Sequence, residues 1–326
     1  MDLPKLAIAA LGGTVSMQAS HVGAGVVPAV SGEALLTTVP ELKNLARITV
    51  ETLGLHPSAS LSFEFLLSVL HWANAQVEKG ATGVVITQGT DTLEETAAFF
   101  DYLWHHDAPL ILTGAMRAAS QVGADGPANL LDACRVALAS NSRCRGVQVV
   151  MGGQVHHANS VRKTDSLALQ AFSSPVVGPT GMLLEDSVRY FHEPSQRKLL
   201  PLPQRTTQAI ALLESTLSAE TLLLDNILEL GYDGLVIAGF GAGHVSEQWA
   251  DAVEKIARKI PVLIATRTGS GATAQASYGF TGSEMDLIGR GALMTGFLCP
   301  RKARILLWLL VGCQRQDELA CFLARD

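Results

Sequence analysis

The sequence predicts an α/β protein of two domains built on parallel sheets. Three observations predict it. Apolar segments of strand length alternate with segments of helical apolar spacing, the pattern of βαβ units whose sheet is covered on both faces. The 326 residues correspond to two domains at roughly 100–200 residues each. Charged residues are only 17% and hydrophobic ones 48%, so the chain can bury a large core and further surface against copies of itself.

The elements follow in order. Leu6–Leu11 reads as a first buried strand and Ala46–Thr52 as a second. Between Ser62 and Lys79, Phe65, Leu66, Val69, Leu70 and Ala73 recur at helical spacing. Gly83–Thr87 is a strand, Leu93–His105 a helix and Pro109–Thr113 a strand. Asp125 can cap a helix running to about Ser140, with Pro127 tolerated in its first turn. Gly146–Met151 is the next strand. The pattern loosens between Phe172 and Arg205, where five prolines fall: Pro175, Pro179, Pro194, Pro201 and Pro203. A second series begins there: strand Ala209–Leu213, helix Ser218–Gly231, strand Gly234–Ala238, helix Ser246–Lys259, strand Pro261–Ala265 and a helix from Pro300. The expected division is an N-terminal domain over 1–190, a linker over 191–207 and a C-terminal domain over 208–326.

Several function classes lose support at once. Lys+Arg is 24 and Asp+Glu is 30, so the net charge is −6, and no basic run exists to grip nucleic acid. The longest apolar run, Ile305–Cys313, is short of the roughly 18–20 residues a membrane span needs. The N-terminal stretch runs from an apolar segment straight into Gly12-Gly13-Thr14, which reads as strand and loop rather than signal peptide. Five scattered cysteines without C-x-x-C spacing argue against a disulfide framework or zinc site and for a reducing cytoplasm. The segment Gly239-Phe240-Gly241-Ala242-Gly243-His244 follows a strand, but His244 stands where a dinucleotide loop needs glycine. It reads as a turn allowing close backbone approach. No P-loop, zincin or esterase motif is present. The pairs His105-His106 and His156-His157 read as structural, because adjacent side chains point apart.

In open α/β sheets ligands bind beyond the carboxyl ends of the strands. Two such loops carry reactive groups. One is Gly12-Gly13-Thr14, where the Thr14 hydroxyl is a weak nucleophile needing a base. The other is Gln88-Gly89-Thr90-Asp91-Thr92. Thr92 and Glu95 fit a capping box for the next helix. The box does not require Thr90 or Asp91, which stand where backbone N–H groups face a ligand. Asp91 can orient a base or hold an ammonium group. Lys163 can serve as a base when burial leaves it neutral; taken alone, a surface lysine is the better reading.

Together these segments resemble the bacterial-type L-asparaginase/glutaminase family. Leu11–Val15 is similar to its first threonine motif and Thr87–Thr96 to its second. Thr113–Arg117, Ala124–Leu130, Arg162–Thr164 and Lys302–Arg304 follow in the family's order over nearly the whole chain. The resemblance implies a larger N-terminal Rossmann- or flavodoxin-like domain, a smaller C-terminal α/β domain, and a homotetramer or homodimer with sites at the close-dimer interface. It implies a cofactor-free hydrolysis of a small amino-acid amide, L-asparagine, with L-glutamine and D-asparagine as alternatives. Thr14 would be the nucleophile, with Thr90, Asp91 and Lys163 a proton-relay set. Gly89, Thr90 and Asp91 would bind substrate, Asp91 also meeting its α-ammonium, and backbone N–H groups near the two threonine loops would stabilise the oxyanion. Ser58 and Ser60 are both candidates for its α-carboxylate, and Glu284 from a neighbouring subunit for its ammonium. The family's asparagine after the second glycine loop falls at His244. One departure stands out: the stretch Val15–Val30 lacks the family's catalytic tyrosine, whose nearest counterpart is Val27. Tyr278 or a water would take its place, or the chain would be a non-catalytic amino-acid sensor. A nicotinamide dehydrogenase is a more distant reading.

Overall fold

A computed structural model of the chain describes residues 2–13, 17–19, 26–28 and 32–324; Thr14 and Val15 lie outside the described residues, as do the side chains of 17–19 and 26–28. The chain divides into two compact units, Met1–Leu199 and Leu200–Asp326.

The first unit starts with β1 (Lys5–Ala10), a short antiparallel pair of β2 (Met17–Ala19) and β3 (Val26–Pro28), and helices α1 (Gly32–Thr37) and α2 (Leu42–Leu45). Then come β4 (Arg47–Thr52), α3 (Phe63–Glu78), β5 (Gly83–Thr87), α4 (Leu93–Leu103), β6 (Leu110–Thr113), α5 (Gly126–Leu138) and β7 (Val147–Met151). Strands β8 (Gln154–His157), β9 (Arg162–Lys163), β10 (Phe172–Ser173), β11 (Gly181–Leu184) and β12 (Ser187–Tyr190) complete it. The main sheet has the order β12-β11-β8-β7-β6-β5-β1-β4. Strands β4, β1, β5, β6 and β7 run parallel, as the apolar segments predict. Every residue of β5, β6 and β7 is buried, whereas β4, at the sheet edge, alternates exposed and half-buried residues and is not the buried strand its sequence suggests.

The sheet then continues antiparallel through β8, β11 and β12, which the sequence pattern does not announce. These strands are four residues each, β8 mixes polar with apolar residues and β11 and β12 are half exposed, so they lack the continuous apolar run that marks a doubly covered strand.

Two predicted caps are built differently. Thr92 precedes α4 but its side chain caps nothing; its hydroxyl donates instead to the Ser58 carbonyl at 3.0 Å. Asp125 precedes α5 without capping it. Its carboxylate accepts from the backbone N–H groups of Met116 (3.0 Å) and Arg117 (2.9 Å) and from Asn129 Nδ2 (3.0 Å). Asn129 also donates to the Gly114 carbonyl and accepts from the Gly152 N–H, both at 3.0 Å. The Ala124–Leu130 segment therefore locks the loop after β6.

The second unit contains β13 (Ile210–Glu214), α6 (Leu222–Asp225), β14 (Gly234–Gly239), α7 (Glu247–Ala257), β15 (Val262–Thr266), α8 (Glu284–Gly289), β16 (Leu293–Met294), α9 (Pro300–Gly312) and α10 (Leu319–Leu323). Its sheet, β13-β14-β15-β16, is wholly parallel. The predicted helix over Ser218–Gly231 shrinks to α6. Ser218 adopts the left-handed region (φ 58°), and Leu222, Leu223 and Leu230 stay exposed, so no packed face sustains a longer helix. Among the described residues no helix is long and apolar enough to cross a membrane.

Asp125→Ala strips two backbone N–H groups of their acceptor, at about 1–3 kcal/mol each. The expected outcome is a clear fall in unfolding temperature by calorimetry, with Asp125→Asn falling less.

Candidate active site

The site grows from the carboxyl ends of β1 and β5. These strands are neighbours, with Ala10 in register with Thr87. Leu11 N–H donates to the Thr87 carbonyl at 2.9 Å, so the two following loops leave the sheet side by side. Gly13 has φ 83°, and a Cβ there would stand 2.0 Å from the Gly89 nitrogen. Only glycine allows that approach. Gly89 in turn faces Ser58, whose Oγ would lie 2.7 Å from a Cβ at position 89.

Thr90 is buried at the mouth of this arrangement and Asp91 stands largely exposed. Lys163 reaches them from β9, 72 residues further along. Its Nζ donates to Thr90 Oγ1 at 2.9 Å and to Asp91 Oδ1 at 2.9 Å. Pairing of β9 with β10, Lys163 opposite Phe172, gives the lysine a rigid base. A second tie comes from Glu94 in the first turn of α4, whose buried carboxylate accepts the Lys163 backbone N–H at 2.5 Å. An acid there is also favoured by the helix dipole. The sequence marks Glu94 only as a first-turn acid; its contact with β9 has no local signal.

Ser58 is buried and its Oγ has no hydrogen-bond partner among the described residues, so it can donate to or accept from a ligand. Ser60, two residues on in the same short turn, is exposed. The structure thus brings Ser58, Gly89, Thr90, Asp91 and Lys163 together, with Ser60 exposed on the same turn as Ser58.

Glu284 belongs to the second unit and opens α8 after the cap Ser283. It is fully buried. Its Oε1 accepts the N–H groups of Ser277 (2.6 Å) and Tyr278 (2.7 Å), and its Oε2 accepts His244 Nε2 at 3.1 Å. Burial raises its pKa, but the donors at Tyr278, Ser277, its own N–H and His244 outweigh that and hold the carboxyl below its ordinary range. Within its unit Glu284 therefore fixes the 277–278 backbone. His244 also packs edge-on against Tyr278 (4.9 Å) and Phe280 (5.1 Å), and Tyr278 is half exposed. The glycine loop before His244 closes as a turn: Phe240 and His244 form a bridge. Among the described residues no group of three or more His, Cys, Asp or Glu gathers to hold a metal ion.

A hydroxyl, an amine and a carboxylate in one hydrogen-bonded row, open to solvent on one side, are the groups used to activate a hydroxyl nucleophile in covalent catalysis. The model of the asparaginase N-terminal domain matches residues 5–196, and that of the glutaminase/asparaginase C-terminal domain matches 209–320. The chain belongs to the asparaginase family. It is 36% identical over 316 residues to a probable periplasmic L-asparaginase of Haemophilus influenzae, covering 94% of this chain and 88% of that one. It is 34% identical to a probable L-asparaginase of Deinococcus radiodurans, covering 97% and 96%. The crystal structure of a probable cytoplasmic L-asparaginase from Campylobacter jejuni superposes with a TM-score of 0.87 at 28% identity, over 99% of this chain and all of that one.

The Glu284 contacts carry a pH dependence. A carboxyl with a lowered folded pKa stabilises the fold above its unfolded pKa, about 4.3, and loses that contribution as pH falls through the folded value. Glu284→Gln is expected to unfold at a lower temperature at pH 7 and to show a shallower acid decline. Calorimetry between about pH 7 and pH 3 checks this; parallel declines would refute it.

Proposed function

We propose that the chain hydrolyses the side-chain amide of L-asparagine to L-aspartate and ammonia through a threonine acyl-enzyme. The observation that carries this reading is the Lys163 amino group held 2.9 Å from both Thr90 Oγ1 and Asp91 Oδ1 at the end of β5; as the neutral amine it has the lone pair a base needs. Family membership and the names of the relatives support it.

In this mechanism Thr14 attacks the amide carbon. The C–N bond breaks, the nitrogen takes a proton and leaves as ammonia, and a Thr14 ester remains. Water then attacks the ester, and aspartate and the Thr14 hydroxyl are released. Lys163 acts as base, Asp91 orients it, and Thr90 lies between the lysine and the reacting atoms. Hydrogen-bonded heavy atoms at 2.9 Å let a proton pass from oxygen to nitrogen without rearrangement. Backbone N–H groups near Gly89 stabilise the developing oxyanion. Ser58, with its unpartnered buried hydroxyl, receives the α-carboxylate, with Ser60 as the alternative. Asp91 meets the α-ammonium, aided by Glu284 of a neighbouring copy in a homotetramer or homodimer. Tyr278 or water supplies the hydroxyl absent from the Val15–Val30 stretch. A cytoplasmic setting is supported by Cys134, Cys144, Cys299 and Cys313, none of which is in a disulfide.

Glutamine differs by one methylene, worth about 1–3 kcal/mol in a pocket, and the C-terminal family description names glutaminase alongside asparaginase.

Ammonia release from L-Asn, L-Gln and D-Asn tests the proposal. L-Asn should be the best substrate, and Thr14→Ala and Lys163→Ala should each lose at least about 10³-fold in kcat. Calorimetric binding of L-Asn without turnover by the wild type would replace the enzyme with a sensor. The Glu94 contact gives a second expectation. Glu94→Ala should lower kcat up to about 10²-fold through displacement of Lys163, with KM little changed and Glu94→Gln retaining more activity. A unit in which Glu94→Ala unfolds is distinguished by circular dichroism.

A further inference from the structure

On the far side of the main sheet from its β4 edge, the antiparallel pair of β7 and β8 sets Gln148 directly opposite His157. Directly opposed residues project from the same face. Gln148 is fully buried. Its Oε1 accepts the Tyr190 hydroxyl at 2.5 Å, while its Nε2 has no hydrogen-bond partner among the described residues. His157 Nδ1 accepts the Asn159 N–H at 3.2 Å, so the neutral ring carries its proton on Nε2. That nitrogen is buried and makes no hydrogen bond among the described residues, and Asp101 Oδ2 lies 3.8 Å from it. Gln148 Nε2 is thus a buried donor without an acceptor, at a cost of about 1–3 kcal/mol if nothing fills the gap.

A cavity of about 230 Å³ opens here, lined by Arg145, Gln148, His157, Ser160, Thr180 and the 192–195 segment. A single water claims about 30 Å³, so the space suits a small molecule. Arg145 is immobilised at its edge. Its Nε donates to the Asn141 carbonyl (2.8 Å), its Nη1 to the His192 carbonyl (2.7 Å), and its guanidinium lies 3.8 Å over the Tyr190 ring. Carbonyls and a ring leave its charge uncompensated. The other nearby cation, Arg197, is already bound to Asp101. Glu193 is the one acid on the lining, and it is exposed.

We propose that this cavity binds a small oxyanion, a carboxylate or phosphate group held by Arg145, the Gln148 amide and the Ser160 hydroxyl. A fixed cation with an unpaired charge, beside a buried donor lacking an acceptor, is the arrangement that an oxyanion completes. The site also abuts the turn that delivers Lys163. Ser160 and Val161 donate their N–H groups to the His157 carbonyl at 3.1 and 3.0 Å, and β9 begins one residue later.

The test is calorimetric titration of the full-length protein with inorganic phosphate and, separately, with malonate, each in the wild type and in Lys163→Ala. One equivalent per chain is expected for at least one of the two, unchanged in Lys163→Ala. Uptake of phosphate alone identifies a phosphate site, and uptake of malonate alone a carboxylate site. Arg145→Gln and Ser160→Ala, both at the partly exposed rim, should each weaken binding about tenfold, the weight of one charge-assisted hydrogen bond. Gln148→Met should do so where it folds. No heat with either anion, meaning that the cavity holds only water, overturns the proposal. So does binding that Lys163→Ala abolishes, or that Arg145→Gln and Ser160→Ala leave untouched.

Discussion

Everything at the candidate active site depends on one close backbone approach. The loop after β1 lies so tightly on the loop after β5 that no Cβ fits at Gly13 against the Gly89 nitrogen. The parallel register of β1 and β5 makes that approach unavoidable, because both strands end at the same level and Leu11 bonds back to Thr87. Glycine removes the steric obstacle and supplies the positive φ that the turn requires. A side chain at either position would part the loops, and Ser58, Gly89 and Thr90 would no longer share one pocket.

The polar residues around this contact hold it by replacing water with fixed partners. Thr92 ties the Ser58 turn to the start of α4, Asp125 and Asn129 fasten the loop after β6, and Glu94 fastens the backbone of Lys163. Each is a side chain satisfying main-chain groups that secondary structure leaves unpaired. This explains how a lysine on a two-residue strand keeps a defined position. The backbone is pinned from one side by Glu94 and from the other by β10, and only then does the amino group choose its two oxygens.

The second unit uses the same device with different letters. Glu284 collects two backbone N–H groups and one imidazole and thereby presents Tyr278 and Phe280 at the surface. His244 takes part as a donor to a carboxylate while its ring packs edge-on with two aromatics. A residue chosen from the sequence as a substrate contact is thus, in its own unit, the anchor of a surface loop.

The sequence by itself determined the parallel sheets, since continuous apolar strands between amphipathic helices bury both faces only in that arrangement. It also marked the Thr90–Asp91 loop, because reactive side chains between a strand end and a helix start are visible locally. The short antiparallel strands β8, β11 and β12 escaped it, being without a continuous apolar run or a strong periodic signal. So did the true partners of Thr92 and Asp125, where local spacing suggested caps and distant backbone groups won. Only the tertiary structure decided that Lys163 meets Thr90 and Asp91, that Glu94 fixes it, and that Ser58 rather than Ser60 is buried against Gly89. Those contacts join residues some 30 to 70 positions apart. Their geometry is set by strand order and loop packing, which no local pattern encodes.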